Sequence, residues 1–258
     1  MQEYRHRQTH KPHENLIYGI HPIREAMDAG KEIEKILVQR DAKTGPLREI
    51  LDLAAELEVP VQKVPADKLD GLTRGTHQGI IAFVSLINYQ PIENILMDVF
   101  EKGDTPLLLI LDRITDVRNL GAIARSAECA GVQALVVPSR GSAQVNADAL
   151  KTSAGALNNL PVHRSPNLKD TLRYLKDSGV RIIGVTEYGS DIYHQTDLSG
   201  PIALILGSEE DGISPEYLKF ADSRIRIPLL GSTGSLNVSV AAGIALFEAR
   251  RQRDFPLK

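Results

Sequence analysis

From residue 106 onward, short runs that are apolar almost throughout alternate with stretches of helical period. Residues 107–111, 134–137, 181–186, 202–206 and 224–227 read as strands, with a weaker one at 161–163. Helices are expected at 119–130, 147–152, 168–177, 215–220 and 236–251. A strand that is apolar on both faces must be covered on both faces, and intervening helices provide that cover. The pattern predicts an α/β fold with a mostly parallel sheet. Ligands in such sheets bind beyond the carboxyl ends of the strands. Three polar loops leave carboxyl ends here, at 112–119, 207–214 and 228–235.

The third loop opens a longer stretch, 225–250, reading IRIPLLGSTGSLNVSVAAGIALFEAR. Pro228 stops the strand because it cannot donate to a ladder. Gly231 and Gly234 follow. Ser235 stands where a helix N-cap is expected. Leu236, Val240, Ile244 and Phe247 then fall near helical spacing. Backbone N–H groups of such a loop can meet a ligand, though an ordinary β–α connection reads the same way. In the first loop Asn119 is a candidate cap, Gly121 permits close backbone approach, and Arg125 follows six residues after Asn119. Taken alone, Arg125 reads equally as a helix residue paired with Glu128. The second loop places Glu209, Glu210 and Asp211 directly after Gly207. Adjacent carboxylates repel, so they are either solvated or partly put to use.

Several chemistries lose weight. There is no GxGxxG after a strand and no GxxxxGK[ST] phosphate loop. There is no GxSxG nucleophile elbow. A single cysteine, Cys129, makes no internal disulfide, and no His/Cys/Asp/Glu set has metal spacing, so no metal is expected. No apolar run reaches the ~18 residues of a spanning helix, and the polar N-terminus lacks a signal peptide's apolar centre. A cytoplasmic location without membrane association is expected. The net charge of −3 excludes a generally basic surface, not a local basic patch. Residues 1–13 carry Arg5, Arg7 and Lys11 and read as a flexible basic tail.

Residues 14–88 form a separate α/β pattern. Strands are expected at 16–20, 33–39, 59–64 and 80–87, and helices at 22–29, 46–57 and 66–72. Residues 89–105, with a short helix at 92–102, read as a linker between this domain and a second spanning 106–258.

Taken together, the loops are more specific than any one of them. NLGAIAR at 119–125, LGSEEDG at 206–212, and Ile227-Pro228 through Gly231 to SLNVSV at 235–240 resemble the three motifs of the SpoU (TrmH-like) family of RNA ribose 2′-O-methyltransferases, in the SPOUT superfamily. IYGIHP at 17–22 and THQGI at 76–80 resemble that family's N-terminal substrate-binding domain. The resemblance implies a SPOUT-type parallel-sheet catalytic domain with a trefoil knot, preceded by a small ribosomal-protein-like RNA-binding domain. It implies S-adenosylmethionine as methyl donor, a homodimer, and RNA rather than DNA as substrate. A guanosine of 23S rRNA is the favoured target. A tRNA guanosine methyltransferase, or a catalytically idle ribosome-assembly factor, is the alternative.

On matching positions the resemblance assigns Arg125, Asn119, Glu209, Ser235 and Asn237 to catalysis. It assigns Gly207, Ile227 and Leu236 to the cofactor, with adjacent Leu206, Pro228 and Thr186 as further contacts. Arg74 and His77 are the RNA-binding candidates of the N-terminal domain. Chemistry supports part of this. A ribose hydroxyl is a poor nucleophile until its proton is removed, and it must lie in line with the methyl group. An ordinary guanidinium stays protonated at neutral pH, so positioning of ribose and phosphate is the role expected of Arg125.

Overall fold

The computed structural model describes residues 15–42 and 45–255, so the basic tail lies outside the described residues. The chain divides into two compact units, ending and starting at Leu86 and Ile87.

In the first unit β1 (Leu16–Tyr18) leads into α1 (Ile20–Asp28) and β2 (Ile33–Gln39). α2 (Gly45–Glu56), β3 (Val61–Val64), α3 (Ala66–Asp70) and β4 (Ile80–Val84) follow. The sheet order is β1-β4-β2-β3, with β4 antiparallel to both neighbours and β3 parallel to β2. One side chain after another alternates across the sheet, giving it two apolar faces. Ile36, Val38, Ile80 and Ala82 pack with Ile23 of α1 and Leu47 and Ile50 of α2. Leu37 and Ile81 pack with Val64 and with Leu69 of α3.

The second unit begins with α4 (Ile92–Glu101), which corrects the expectation of a linker over 89–105. Its Ile92, Ile95 and Leu96 join the core formed by Leu108, Ile110, Ala134 and Val136. That apolar face, with Val99 completing an i, i+3, i+4, i+7 pattern, was visible in the sequence.

β5 (Leu107–Leu111), α5 (Val117–Cys129), β6 (Ala134–Pro138), α6 (Ala147–Thr152), β7 (Val162–Ser165), α7 (Leu168–Asp177) and β8 (Arg181–Val185) then alternate as expected. β9 (Asp191–Ile192), β10 (Ile202–Leu206), α8 (Pro215–Leu218), β11 (Ser223–Arg226) and α9 (Val238–Asp254) complete the unit. Seven strands run in the order β7-β6-β5-β10-β8-β11-β9, and every pairing is parallel. β5 and β10 are buried at every residue, which is why their sequences are apolar without alternation. Because all strands share one direction, the loops after β5, β10, β8 and β11 leave the same edge.

α9 buries a different face from the one expected. Ala242, Ala245, Leu246 and Ala249 enter the core beside Ile123, Ala124 and Ala127 of α5. Val240 and Phe247 remain 49% and 51% exposed. Small residues win because they let the helix approach its neighbours closely.

His163 on β7 is buried, with Nδ1 donating to the Gln90 carbonyl at 3.0 Å. Burial pushes its pKa below the ordinary histidine value, against smaller opposing effects from Gln90 and Glu93. A depressed folded-state pKa gives stability that is present above the unfolded value and lost as the pH falls. The denaturant midpoint should therefore drop as the pH falls below about 6.5, and should drop less in His163→Gln.

Candidate active site

The start of α5 is capped by Asp116, whose carboxylate accepts from the Arg118 N–H at 2.7 Å. Asn119, expected as the cap, lies instead in the first turn, with its amide free for other partners. The start of α9 is capped by Asn237, not by Ser235. Asn237 Oδ1 accepts from the Ser239 N–H at 2.9 Å. This fixes the orientation of the amide, because a helix N–H demands an oxygen. Asn237 Nδ2 must then face away, and it donates to Asn119 Oδ1 at 3.1 Å. The Asn119 amide is fixed in turn, and its Nδ2 donates to Glu209 Oε1. One directional chain thus joins the three polar loops, running from the α9 cap through Asn119 to a carboxylate. Glu209 holds Asn119 in the first turn of α5.

The loop after β10 is tight. Ser208 and Gly212 exchange backbone hydrogen bonds at 3.1 and 3.0 Å. A Cβ on Gly207 would lie 1.9 Å from the Gly212 carbonyl carbon. The loop itself therefore demands glycine at 207, and its backbone covers the position. A clasp holds this loop to β5. Arg113, at φ 58°, donates to Asp112 at 3.1 Å, to Asp211 at 3.0 Å and to the Gly212 carbonyl at 3.1 Å. Asp112 is fully buried and also accepts from the Ser214 N–H at 2.6 Å. Its hydrogen bond to Asp112 is the main cause holding the Arg113 pKa above the ordinary arginine value. Arg113 escaped sequence reasoning, since nothing in its neighbours announces a left-handed backbone. Arg113→Ala should lower stability by about 2 kcal/mol, because a buried carboxylate loses its cation. Arg113→Lys should recover only part of this, since an ammonium lacks the three-way fork. Chemical denaturation of the three proteins checks both expectations.

Beside the chain lies a solvent-open cleft of about 70 Å³. Its walls are Val185, Thr186 and Glu187 from the end of β8, Ile227 and Leu229 after β11, and Ser235, Leu236 and Ala241. Three expected cofactor contacts, Thr186, Ile227 and Leu236, meet here together with Ser235. Leu206 does not, because its side chain is 2% exposed within the core. Pro228 is exposed between two lining residues. Val185, Glu187 and Leu229 are additional, and the strand-end rule would have suggested Glu187. Apolar walls with a few hydroxyls and one carboxylate suit an amphipathic ligand with a flat apolar ring and a cationic portion.

Arg125 stands apart. It is exposed on α5, and among the described residues it has no hydrogen bond or ion pair, to Glu128 or any other. No group of three or more His, Cys, Asp or Glu side chains has metal-binding geometry among the described residues. No helix among them is long and apolar enough to cross a membrane.

In the first unit, His77 sits in the loop between α3 and β4. Its Nδ1 accepts from the Gly79 N–H at 3.0 Å, so Nε2 carries the proton and donates to Asp70 at 2.9 Å. Both ring nitrogens are thus engaged in holding the loop. Arg74 is exposed and without a partner among the described residues.

Comparison with known proteins matches residues 106–247 to the SpoU rRNA methylase family. The chain belongs to that family. Residues 16–90 match the RNA 2′-O ribose methyltransferase substrate-binding domain. The 23S rRNA (guanosine-2′-O-)-methyltransferase RlmB of Photobacterium profundum is 41% identical, covering 93% of this chain and 98% of that one. The SpoU methyltransferase AviRb from Streptomyces viridochromogenes, crystallised with AdoMet, is 26% identical with a TM-score of 0.60. That alignment covers 93% of this chain and 90% of AviRb. The TrmH/SpoU tRNA modifying enzyme of A. aeolicus is 30% identical with a TM-score of 0.54, over 63% of this chain and 84% of that one. The SpoU motifs are the segments that the chain Glu209–Asn119–Asn237 ties together.

Proposed function

We propose that this SpoU protein transfers a methyl group from S-adenosylmethionine to a ribose 2′-hydroxyl of RNA, with a guanosine of 23S rRNA as the favoured target. The observation that carries the reading is the convergence of Asn119, Glu209 and Asn237 beside the cleft of Thr186, Ile227 and Leu236. When bound, S-adenosylmethionine supplies an electrophilic methyl on a sulfonium, so the reaction requires no metal. Ile227, Leu229 and Leu236 offer apolar walls to its adenine ring. Glu187 offers a carboxylate to its cationic part. Gly207 contributes by letting the loop fold tightly, and Pro228 by setting the spacing between Ile227 and Leu229. Ser235, released from capping, presents its hydroxyl at the cleft. The hydrogen-bonded asparagines hold the three loops in register, which reduces the entropic barrier to an in-line approach. Arg125, free of internal partners, positions the incoming ribose and phosphate through its guanidinium fork.

RNA is the partner because only RNA carries the 2′-hydroxyl. rRNA is favoured over tRNA on the relative named RlmB, which is covered almost end to end, whereas the tRNA modifying enzyme matches 63% of this chain. A homodimer fits the exposed apolar residues of α9. Val240 and Phe247 would be covered by a second copy. The family's trefoil knot and a cytoplasmic location belong to the same reading. The test offers labelled S-adenosylmethionine to the protein with 23S rRNA or with tRNA. Incorporation into 23S rRNA alone supports the favoured target. Incorporation into tRNA alone moves the assignment to the tRNA enzyme, and none with either RNA supports an idle assembly factor.

A further inference from the structure

Tyr18 ends β1 with its side chain 39% exposed, although tyrosine is large and mostly apolar. Its ring is seated against Gly75, where an added Cβ would lie 2.4 Å from both Cε2 and the phenolic oxygen. The backbone of the 73–79 loop therefore abuts the ring, and only glycine leaves room for it.

That loop is built to stay in place. The Gly75 N–H donates to Thr73 Oγ1 at 3.1 Å. His77 bridges Asp70 and the Gly79 N–H through its two ring nitrogens. Gln78 Oε1 accepts the Ile20 N–H at 2.9 Å, which satisfies a first-turn donor of α1 that Gly19 cannot cap. Gln78 and Gly79 adopt φ of 52° and 80° to make these contacts. Thr73, His77 and Gln78 thus spend their polar groups within the unit, which leaves Arg74 and Thr76 facing outward. An aromatic ring and one unpaired guanidinium are on offer, beside an open concavity lined by Gln39, Thr73, Arg74, Thr76 and Gln78, with the Asp70 carboxylate held by His77.

We infer that Tyr18 is a stacking platform for an unpaired base of the substrate RNA, with Arg74 meeting the adjoining phosphate. Bases in a duplex keep their faces covered, so an aromatic platform selects loops, bulges and single strands. A rigid seat lowers the ordering cost of the contact. The inference rests on RNA being the substrate, and it assigns to the first unit the choice of RNA secondary structure. His77 and Gln78 act through the ring's surroundings and are positioning residues.

The test uses the full chain and a fluorescein-labelled RNA hairpin with an unpaired loop, beside its fully duplexed counterpart. Tyr18→Leu should weaken hairpin binding about five- to hundredfold and leave duplex binding unchanged, whereas Tyr18→Phe should bind the hairpin as the wild type does. Gly75→Ala keeps the aromatic ring but removes its seat, and should weaken hairpin binding in the same sense. Arg74→Ala should lower the salt slope by about one. The natural sequence contains no tryptophan, so Tyr18→Trp introduces a sole reporter, whose fluorescence should be quenched by the hairpin. Wild-type hairpin affinity in Tyr18→Leu, equal losses on hairpin and duplex, or an unchanged tryptophan signal would each overturn the platform. Binding of S-adenosylmethionine, measured by calorimetry on the same proteins, reports on the second unit alone. Its absence from the wild type would count against the methyltransferase reading, whatever happens at Tyr18.

Discussion

Replacement of Arg125 by alanine is expected to reduce kcat for methyl transfer about a hundred- to ten-thousandfold, the range found when a proton-handling or charge-positioning group is lost. The same substitution should leave the fold intact. Arg125 is exposed on α5 and has no internal partner among the described residues, so removing it opens no cavity and strands no charge. A stability change within about 0.5 kcal/mol is expected. Binding of S-adenosylmethionine should also persist, since Arg125 does not line the cleft. Lysine at 125 keeps the charge but not the planar fork, and should restore only a small part of the rate. Single-turnover kinetics with saturating donor separate the chemical step from binding. Near-normal turnover by Arg125→Ala would remove this residue from the mechanism.

Gly207→Ala is expected to have the opposite character, with loss of structure and activity together. The new Cβ would lie 1.9 Å from the Gly212 carbonyl carbon and 2.1 Å from the Ile213 nitrogen. Neither neighbour is the end of a flexible side chain, so one backbone segment must move. β10 is buried along its whole length and hydrogen-bonded on both sides, so the loop yields. Its displacement carries Glu209 away from Asn119 and Asp211 away from Arg113. A loss of about 3 kcal/mol is expected, at the upper end for overpacking, with S-adenosylmethionine binding and turnover lost too. Gly234→Ala is the control: nothing lies within 4 Å of its added Cβ and its backbone is not left-handed. Its stability should stay within about 0.5 kcal/mol of the wild type. Thermal unfolding of both variants, with and without S-adenosylmethionine, makes the comparison.

The sheet of the second unit was legible because burial on both faces leaves a mark in every residue of β5 and β10. Which loops would meet was legible only through the strand-end rule, which brings them to one edge but not into contact. The contacts depend on capping, and two competing caps stand two residues apart. Ser235 and Asn237 are both good N-caps by residue type. Asn237 prevails in a setting where its amide also reaches Asn119, a residue 118 positions away in sequence. α9 misled for a related reason: Val240 and Phe247 are the larger apolar residues, but the alanine face fits against α5. His77 looked like a free polar group because the sequence does not show that Gly79 and Asp70 flank its ring. Arg113 was illegible because its left-handed backbone is imposed by the clasp it completes.

The central claim is that the three joined loops form one site for methylating an RNA 2′-hydroxyl. Alkaline hydrolysis of RNA labelled by the protein from methyl-labelled S-adenosylmethionine tests it most directly, because a 2′-O-methyl blocks cleavage after its own nucleotide. The label should survive in an alkali-resistant dinucleotide, and Arg125→Ala should leave that dinucleotide unlabelled. Label released in mononucleotides with a methylated base would contradict the claim.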